Sequence, residues 1–299
     1  MSNFKFIAEN INIMSKTIGP AMRGGEKKPI QDMAVKLTEN GADYLDINLG
    51  PARKGGPEMM RFVVQAVQEA TDLPLYLDTM NVEAMEAGLQ VAKRATGKPV
   101  INSIMARPER MAALFPLAQK YDAGLVALVY GPEGLPRDEN ERGGLAAELM
   151  GKWMELGIAD GDVWLDPIVV PVCSQQLQVQ GCTNFTMMFN DGFPGMMSTC
   201  GLSNVSNGAP DHLRAILNQT YITMLRKDGN MKAAILDGFD KKMFDFVRGK
   251  HPEVEQLVWG MMDGNAPDPA SLSEDLRAYA KTTRVLLGQA LYSDSWLEL

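Results

Sequence analysis

Short runs of β-type residues alternate with helix-length segments from one end of this chain to the other, and that alternation limits its possible folds more than any other feature. The runs are FKFIAEN, DYLDINLG, LPLYLDT, KPVINS, AGLVALVY, DVWLDPIVV, MMSTCGLSNVS and MKAAILDGF. Helices are expected between them over about 29–40, about 57–70, NVEAMEAGLQVAKRA, PERMAALFPLAQKY, 139–156 and HLRAILNQTYITMLRKD. A polar segment follows the sixth run, and one or more closing helices follow the eighth. Repeated strand-then-helix order implies a parallel sheet with right-handed crossovers, and eight such units close a (β/α)8 TIM barrel. The 299 residues suffice for one barrel over 1–299, since such barrels take about 250. Segments around 173–197 and 240–273 are longer than a minimal barrel needs. An open doubly wound sheet would place G-x-G-x-x-G in its first turn, and NINIMSKTIGPAMRGGEKKP does not fit that spacing.

Charge and composition then remove several function classes. With 29 Lys and Arg against 37 Asp and Glu the formal charge is -8, and no basic cluster suited to nucleic acid stands out. No stretch offers about 18 uninterrupted apolar residues, so no membrane contact is expected; MSNFKFIAENINIM lacks the apolar core of a signal peptide, which places the protein in the cytoplasm. Cys173, Cys182 and Cys200 read as reduced thiols, and with His212 and His251 they show no HxC or CxxC spacing. No bound metal is expected.

In a barrel the carboxyl ends of the strands line the active site. Glu9, Asp46, Asn48, Asp78, Asn102, Asp166, Asn204 and Asp237 fall at or near those ends. The period of two along a strand puts Asp46 and Asn48 on one face, and Tyr76 with Asp78 opposite Leu75 and Leu77. Any one of these residues, Asp78 and Asn102 above all, also reads as a cap for the helix that follows. So many acids and amides at equivalent positions instead favour a shared site, because burying them without partners is costly. Carboxylates only accept and amides do both, which suits a flat heterocycle with several N–H donors beside acceptors. A pterin is such a ring.

The motifs AENIN, DINLGPA, LDTMNVEAMEAGL, INS, LDP, GLSNVS and LYSDSWL resemble the pterin-binding methyltransferases that use methyltetrahydrofolate and a corrinoid protein. The resemblance covers nearly the whole chain and is nearest to the stand-alone enzymes of the acetyl-CoA pathway and of corrinoid-dependent O-demethylase systems. It implies that Asp78, Asn102 and Asp166 anchor the pterin, that Asn204 sits beside N5, and that Asp46, Gly201, Ser203 and Arg214 line the folate site. Glu9 and Asn48 are further contacts, while Ala8 and Asn10 depart from the GERIN pattern of relatives. It further implies tetrahydrofolate as cosubstrate, a corrinoid (cobalamin) carried by a partner protein that docks over the barrel mouth, and a homodimer. No D-x-H-x-x-G cobalamin loop is present in the chain. Dihydropteroate synthase is the nearest alternative, but its pattern expects Arg-x-His at the last strand where this chain has ILDGFD. A non-catalytic folate-binding barrel is the other.

Overall fold

The computed structural model describes residues 4–94 and 97–298. In chain order the elements are β1 (Lys5–Asn12), α1 (Ile18–Gly24), α2 (Lys27–Glu39), β2 (Tyr44–Gly50), α3 (Gly56–Gln68), β3 (Leu75–Thr79), α4 (Val82–Val91), β4 (Val100–Met105), α5 (Pro108–Lys120) and β5 (Gly124–Leu128). They continue with α6 (Glu139–Glu155), β6 (Val163–Asp166), α7 (Val172–Thr186), α8 (Phe189–Gly192), β7 (Met197–Ser198), α9 (Asp211–Leu225), β8 (Ala233–Leu236), α10 (Lys241–Val247), α11 (Pro252–Met262) and α12 (Glu274–Leu286). The strands lie side by side and parallel, in the order β7-β6-β5-β4-β3-β2-β1-β8. The remaining edges meet through one bridge, Gly201 opposite Ile235, where the Ile235 N–H donates to the Cys200 carbonyl at 2.8 Å. The result is the expected eight-stranded barrel, nearly closed.

Alternation along the strands sorts the residues into two cores. Leu45, Ile47, Leu75, Leu77, Ile101, Leu125 and Leu165 point outward and are buried against the helices. Ile7, Tyr76, Val100, Val126, Trp164 and Ala233 point inward and fill the barrel's lower half with Tyr44, Met197 and Ile235. Tyr44, Tyr76 and Trp164 meet edge to face there, with centroids 5.3 to 5.5 Å apart. Such pairs add about 0.5–1.5 kcal/mol each beyond area burial. This aromatic layer forms a floor beneath the polar strand ends.

The departures from the sequence expectation are local. The loop after β1 contains α1, unforeseen because GPAMRGG is rich in helix-breaking residues. The helix expected over NVEAMEAGLQVAKRA ends at Val91, where the Gln68 side chain takes the Val91 carbonyl at 3.1 Å; Ala95 lies outside the described residues. β7 is reduced to two residues. Much of the segment 173–197 is α7 and α8, the helical half of the sixth unit, pinned by edge contacts among Phe185, Phe189 and Phe193. Of its methionines, Met196 is buried and Met188 exposed. Segment 240–273 folds as α10 and α11, held to α9 by Trp259 donating to the Thr223 carbonyl at 2.7 Å and by the Arg226–Glu255 ion pair at 2.8 Å. No helix of the described residues is long and apolar enough to cross a membrane.

Candidate active site

Two residues above the aromatic floor, on the same inward faces, stand the polar groups. Tyr44 leads to Asp46, Tyr76 to Asp78, Val100 to Asn102, Trp164 to Asp166, and Ile7 to Glu9. Register sets them side by side: Asn48 pairs with Asp78, and Asp78 with Asn102. Asn48 Nδ2 donates to Asp78, and Asn102 Nδ2 donates to Asp46 Oδ1 at 3.4 Å. The helix-cap reading of Asp78 and Asn102 does not hold. Asn81 caps α4 by accepting from the Ala84 N–H at 2.9 Å, and Arg107 occupies the cap position of α5.

Burial dominates the electrostatics. It raises the Asp46 carboxyl well above the usual range, with the Asp78 charge adding to the effect and the Asn102 hydrogen bond opposing it. Burial also raises Asp78, and holds Asp166 up at about 7 even though Asp166 accepts from the Ile168 N–H at 2.8 Å. Glu9 is raised by burial and by Asp237, with Arg214 opposing. No cation acts on Asp78 or Asp166 to offset burial, so both carboxyls are open to N–H donors from a ligand, while Glu9 has Arg214 as a counter-charge. Among the described residues no group of three or more His, Cys, Asp or Glu side chains is arranged to hold a metal ion.

The remaining expected residues sit on the wall above β7 and β8. Gly201 joins the barrel seam, and Ser203 and Asn204 lie in the 3-10 turn Leu202–Ser206. Asn204 is exposed and its Oδ1 accepts from Asn207 Nδ2 at 3.1 Å, leaving its own amide N–H groups free to donate. Arg214, from the first turn of α9, reaches Ser206 Oγ at 3.3 Å and Asn207 Oδ1 at 3.4 Å. It therefore acts on the turn that presents Asn204 as well as on the charge at Glu9. A Cβ at Gly201 would stand 3.1 Å from Asn204 Nδ2, so glycine there leaves the amide its room.

Several supporting residues escaped the sequence reading. Arg142 is completely buried and donates to the Pro167 and Asp138 carbonyls and to Gln178, clamping the turn after Asp166. That turn holds Ile168 at φ 64, a conformation a β-branched residue rarely adopts. Asn10 bridges to Asp237 at 2.8 Å and accepts from the Gly238 N–H at 2.7 Å, tying the ends of β1 and β8 together. Its departure from the relatives' arginine thus still serves the mouth. Nothing in the sequence around Arg142 separates it from the solvated arginines of other helices.

A nearly closed parallel barrel with an aromatic floor and a ring of acids and amides above it has a mouth whose chemistry suits a flat, donor-rich heterocycle. The sequence model of the pterin binding enzymes matches residues 20–229, and the chain belongs to that family. It is 25% identical over 243 residues to the methylcorrinoid:tetrahydrofolate methyltransferase of Eubacterium limosum, covering 81% of this chain and 88% of that protein. It is also 25% identical over 228 residues to the methionine synthase of Mycobacterium tuberculosis, which is 72% of this chain but 19% of that longer protein. Among solved structures, the dihydropteroate synthase from Xanthomonas albilineans in complex with 7,8-dihydropteroate superposes with a TM-score of 0.59 at 16% identity, over 83% of this chain and 93% of that one. The dihydropteroate synthase from Thermus thermophilus in complex with 6HMPPP gives 0.58 at 17%, over 85% and 94%. At those identities the structures speak for the fold.

Proposed function

We propose that this chain moves a methyl group between N5 of tetrahydrofolate and the cobalt of a corrinoid carried by another protein. One observation carries the reading: Asp78 and Asn102 stand side by side at the ends of β3 and β4 and Asp166 ends β6, in the family of pterin binding enzymes, with carboxyls that lack any cation of their own. The relatives named as methyltransferases support a methyltransferase. The dihydropteroate synthases share the barrel, but this chain ends β8 at the exposed Asp237, an acid where the alternative expects Arg and His.

The residues divide the work. Asp78 and Asp166 accept from the ring's N–H groups, and Asn102 both donates and accepts, so the ring is fixed in plane and in rotation. Asp46 holds Asn102 from behind, as Asn48 holds Asp78. The corrinoid supplies the cobalt that exchanges the methyl, and it approaches over the mouth, where the polar strand ends stand above the floor. A neutral amine leaves poorly, so N5 needs a hydrogen-bond donor as the methyl departs. The Asn204 amide, its oxygen engaged by Asn207, offers that donor. In the reverse direction the same weak donor leaves the N5 lone pair available. The mouth serves a single transient docking at a time, and a homodimer with one site per subunit fits this scheme.

An anaerobic turnover assay with tetrahydrofolate and methylcobalamin, followed by the visible spectrum of the cobalamin and by folate analysis, tests the proposal. Methyl transfer dependent on both cosubstrates is expected. Tight tetrahydrofolate binding with no transfer in either direction would leave only a folate-binding barrel.

A further inference from the structure

The turn that carries Asn204 closes on a residue that pterin anchoring does not use. Asn207 is exposed just after the 3-10 turn Leu202–Ser206, and it bridges back to Asn204 twice. Its N–H donates to the Asn204 carbonyl at 3.2 Å, and its side-chain Nδ2 donates to Asn204 Oδ1 at 3.1 Å. It is held from outside as well. Arg214 Nη2 donates to Asn207 Oδ1 at 3.4 Å, and Cys173 Sγ donates to the Asn207 carbonyl at 3.2 Å. The chain then turns away at Gly208, φ 80, where a Cβ would stand 3.0 Å from the Cys173 sulfur.

A carboxamide turned over about its last bond fills the same space but exchanges a donor for an acceptor, so what Asn204 offers a ligand depends on what fixes its orientation. Here the fixing starts from a cation. A guanidinium only donates, and it keeps its charge at any working pH. The side of Asn207 that faces Arg214 must therefore be its oxygen, which leaves its NH2 for Asn204. An NH2 only donates, so the side of Asn204 that faces Asn207 must in turn be oxygen. The Asn204 NH2 is left pointing the other way, beside Gly201. Arg214 is itself located by a second contact of the same polarity. Its Nε donates to Ser206 Oγ at 3.3 Å, while the Ser206 hydroxyl, on a buried residue, gives its own proton to the Ser203 carbonyl at 3.1 Å. Donors thus run in one direction, from Arg214 through Asn207 to Asn204.

Resting on the methyl-transfer reading above, we infer that Asn207 is a positioning residue, which passes the donor polarity of Arg214 to Asn204 and keeps an N–H, not a carbonyl oxygen, turned toward N5. Without that relay an exposed amide presents either face. An oxygen facing N5 would repel its lone pair and would give nothing to a departing amine. The relay therefore acts on the rate of transfer and leaves the ring's anchoring to Asp78, Asn102 and Asp166.

Asn207→Asp tests this, because aspartate keeps the shape of asparagine and accepts from Arg214, but has no donor for Asn204. The Asn204 amide then turns its NH2 to the new carboxylate and its oxygen to N5. Single-turnover methyl transfer is expected to slow about ten- to a hundredfold in N207D, as in N204A, with tetrahydrofolate affinity by calorimetry staying within about twofold of the wild type. Asn207→Ala frees the amide without inverting it and should slow transfer less than N207D does. Added to N204A, the N207D change should have no further effect, since the residue acts through Asn204. A readout free of turnover is the Asn204 side-chain amide proton signal, assigned by its loss in N204A: it should shift when tetrahydrofolate binds the wild type and not when it binds N207D. A wild-type rate in N207D, or its full effect persisting on the N204A background, would overturn the inference while leaving the methyl-transfer reading standing. A loss in N207A as large as that in N207D would overturn it too, by making Asn207 a support for the turn alone. Absence of transfer by the wild type would overturn the reading and this inference together.

Discussion

At the scale of single residues, the ligand contacts and the buried groups beneath them make opposite demands on stability. Asp78→Ala or Asp166→Ala removes an acceptor for the ring's N–H groups, and a hydrogen bond to a charged partner is worth roughly 1.5–3 kcal/mol. A loss of about ten- to a hundredfold in tetrahydrofolate affinity is expected by calorimetry in each variant, with the fold retained by circular dichroism. Asn204→Ala should behave otherwise, lowering the single-turnover rate more than the affinity, because its donor matters as charge changes at N5. The Asp166 carboxyl, moved by burial from an ordinary 3.8 to about 7, binds more protons folded than unfolded between those values. Its contribution therefore favours the fold at low pH and is lost as pH rises toward about 7. Asp166→Asn should remove that slope, so the Tm difference between variant and wild type is expected to grow in the variant's favour from about pH 4 to 7. Ligand donors prefer the carboxylate, so tetrahydrofolate affinity should rise through the same upper range with release of a proton. Tyr76 and Thr199 carry buried hydroxyl oxygens without hydrogen-bond partners, and Tyr76→Phe is expected to leave Tm unchanged or higher.

At the scale of elements, the strands and their polar ends were legible because both depend on periodicity. A period of two placed Tyr76 with Asp78 and Asp46 with Asn48 on the inner face, and the structure puts them there. What periodicity does not encode stayed hidden. Helix α1 forms within a Gly- and Pro-rich loop because Gly19 packs its backbone against Ile13, where a Cβ would fall 2.2 Å from the carbonyl oxygen. Strand β7 shrinks because the chain turns out at Thr199 and Cys200 to make the seam. The sixth unit's helix carries glutamines and an asparagine on a weakly amphipathic frame, so α7 read as a polar segment. Likewise the aspartates of the site could be gathered from their strand ends, but the Arg142 clamp and the chain from Arg214 through Asn207 to Asn204 depend on tertiary contacts between separate units. Arg142→Leu is expected to cost about 1–3 kcal/mol in urea unfolding by leaving the Pro167 and Asp138 carbonyls without their donor, and to weaken folate binding through the loosened turn at Asp166.

Across the whole molecule the barrel is unevenly closed. β1 and β2 share a ladder of backbone bonds, whereas among the described residues the β7 and β8 edges share a single backbone bridge, Gly201 opposite Ile235, with Ser198 Oγ accepting from the Lys232 N–H at 2.8 Å beside it. The Ile235 amide should exchange with solvent faster than the amides of β2, and a folate held against Gly201 and Asn204 should slow it, as mass spectrometry of exchanged peptides can read. The aromatic floor has a different consequence. Of the four tryptophans, Trp153, Trp259 and Trp296 belong to the helical shell and the closing segment, while Trp164 alone stands inside the barrel, one side-chain layer beneath Asp166. A reduced pterin, an electron-rich ring, seated on those carboxyls would lie one side-chain layer from the indole, close enough to quench its emission by contact. The protein therefore carries an optical gauge of its own occupancy: ligand should quench Trp164 far more than the other three, and Trp164→Phe should leave the titration nearly dark.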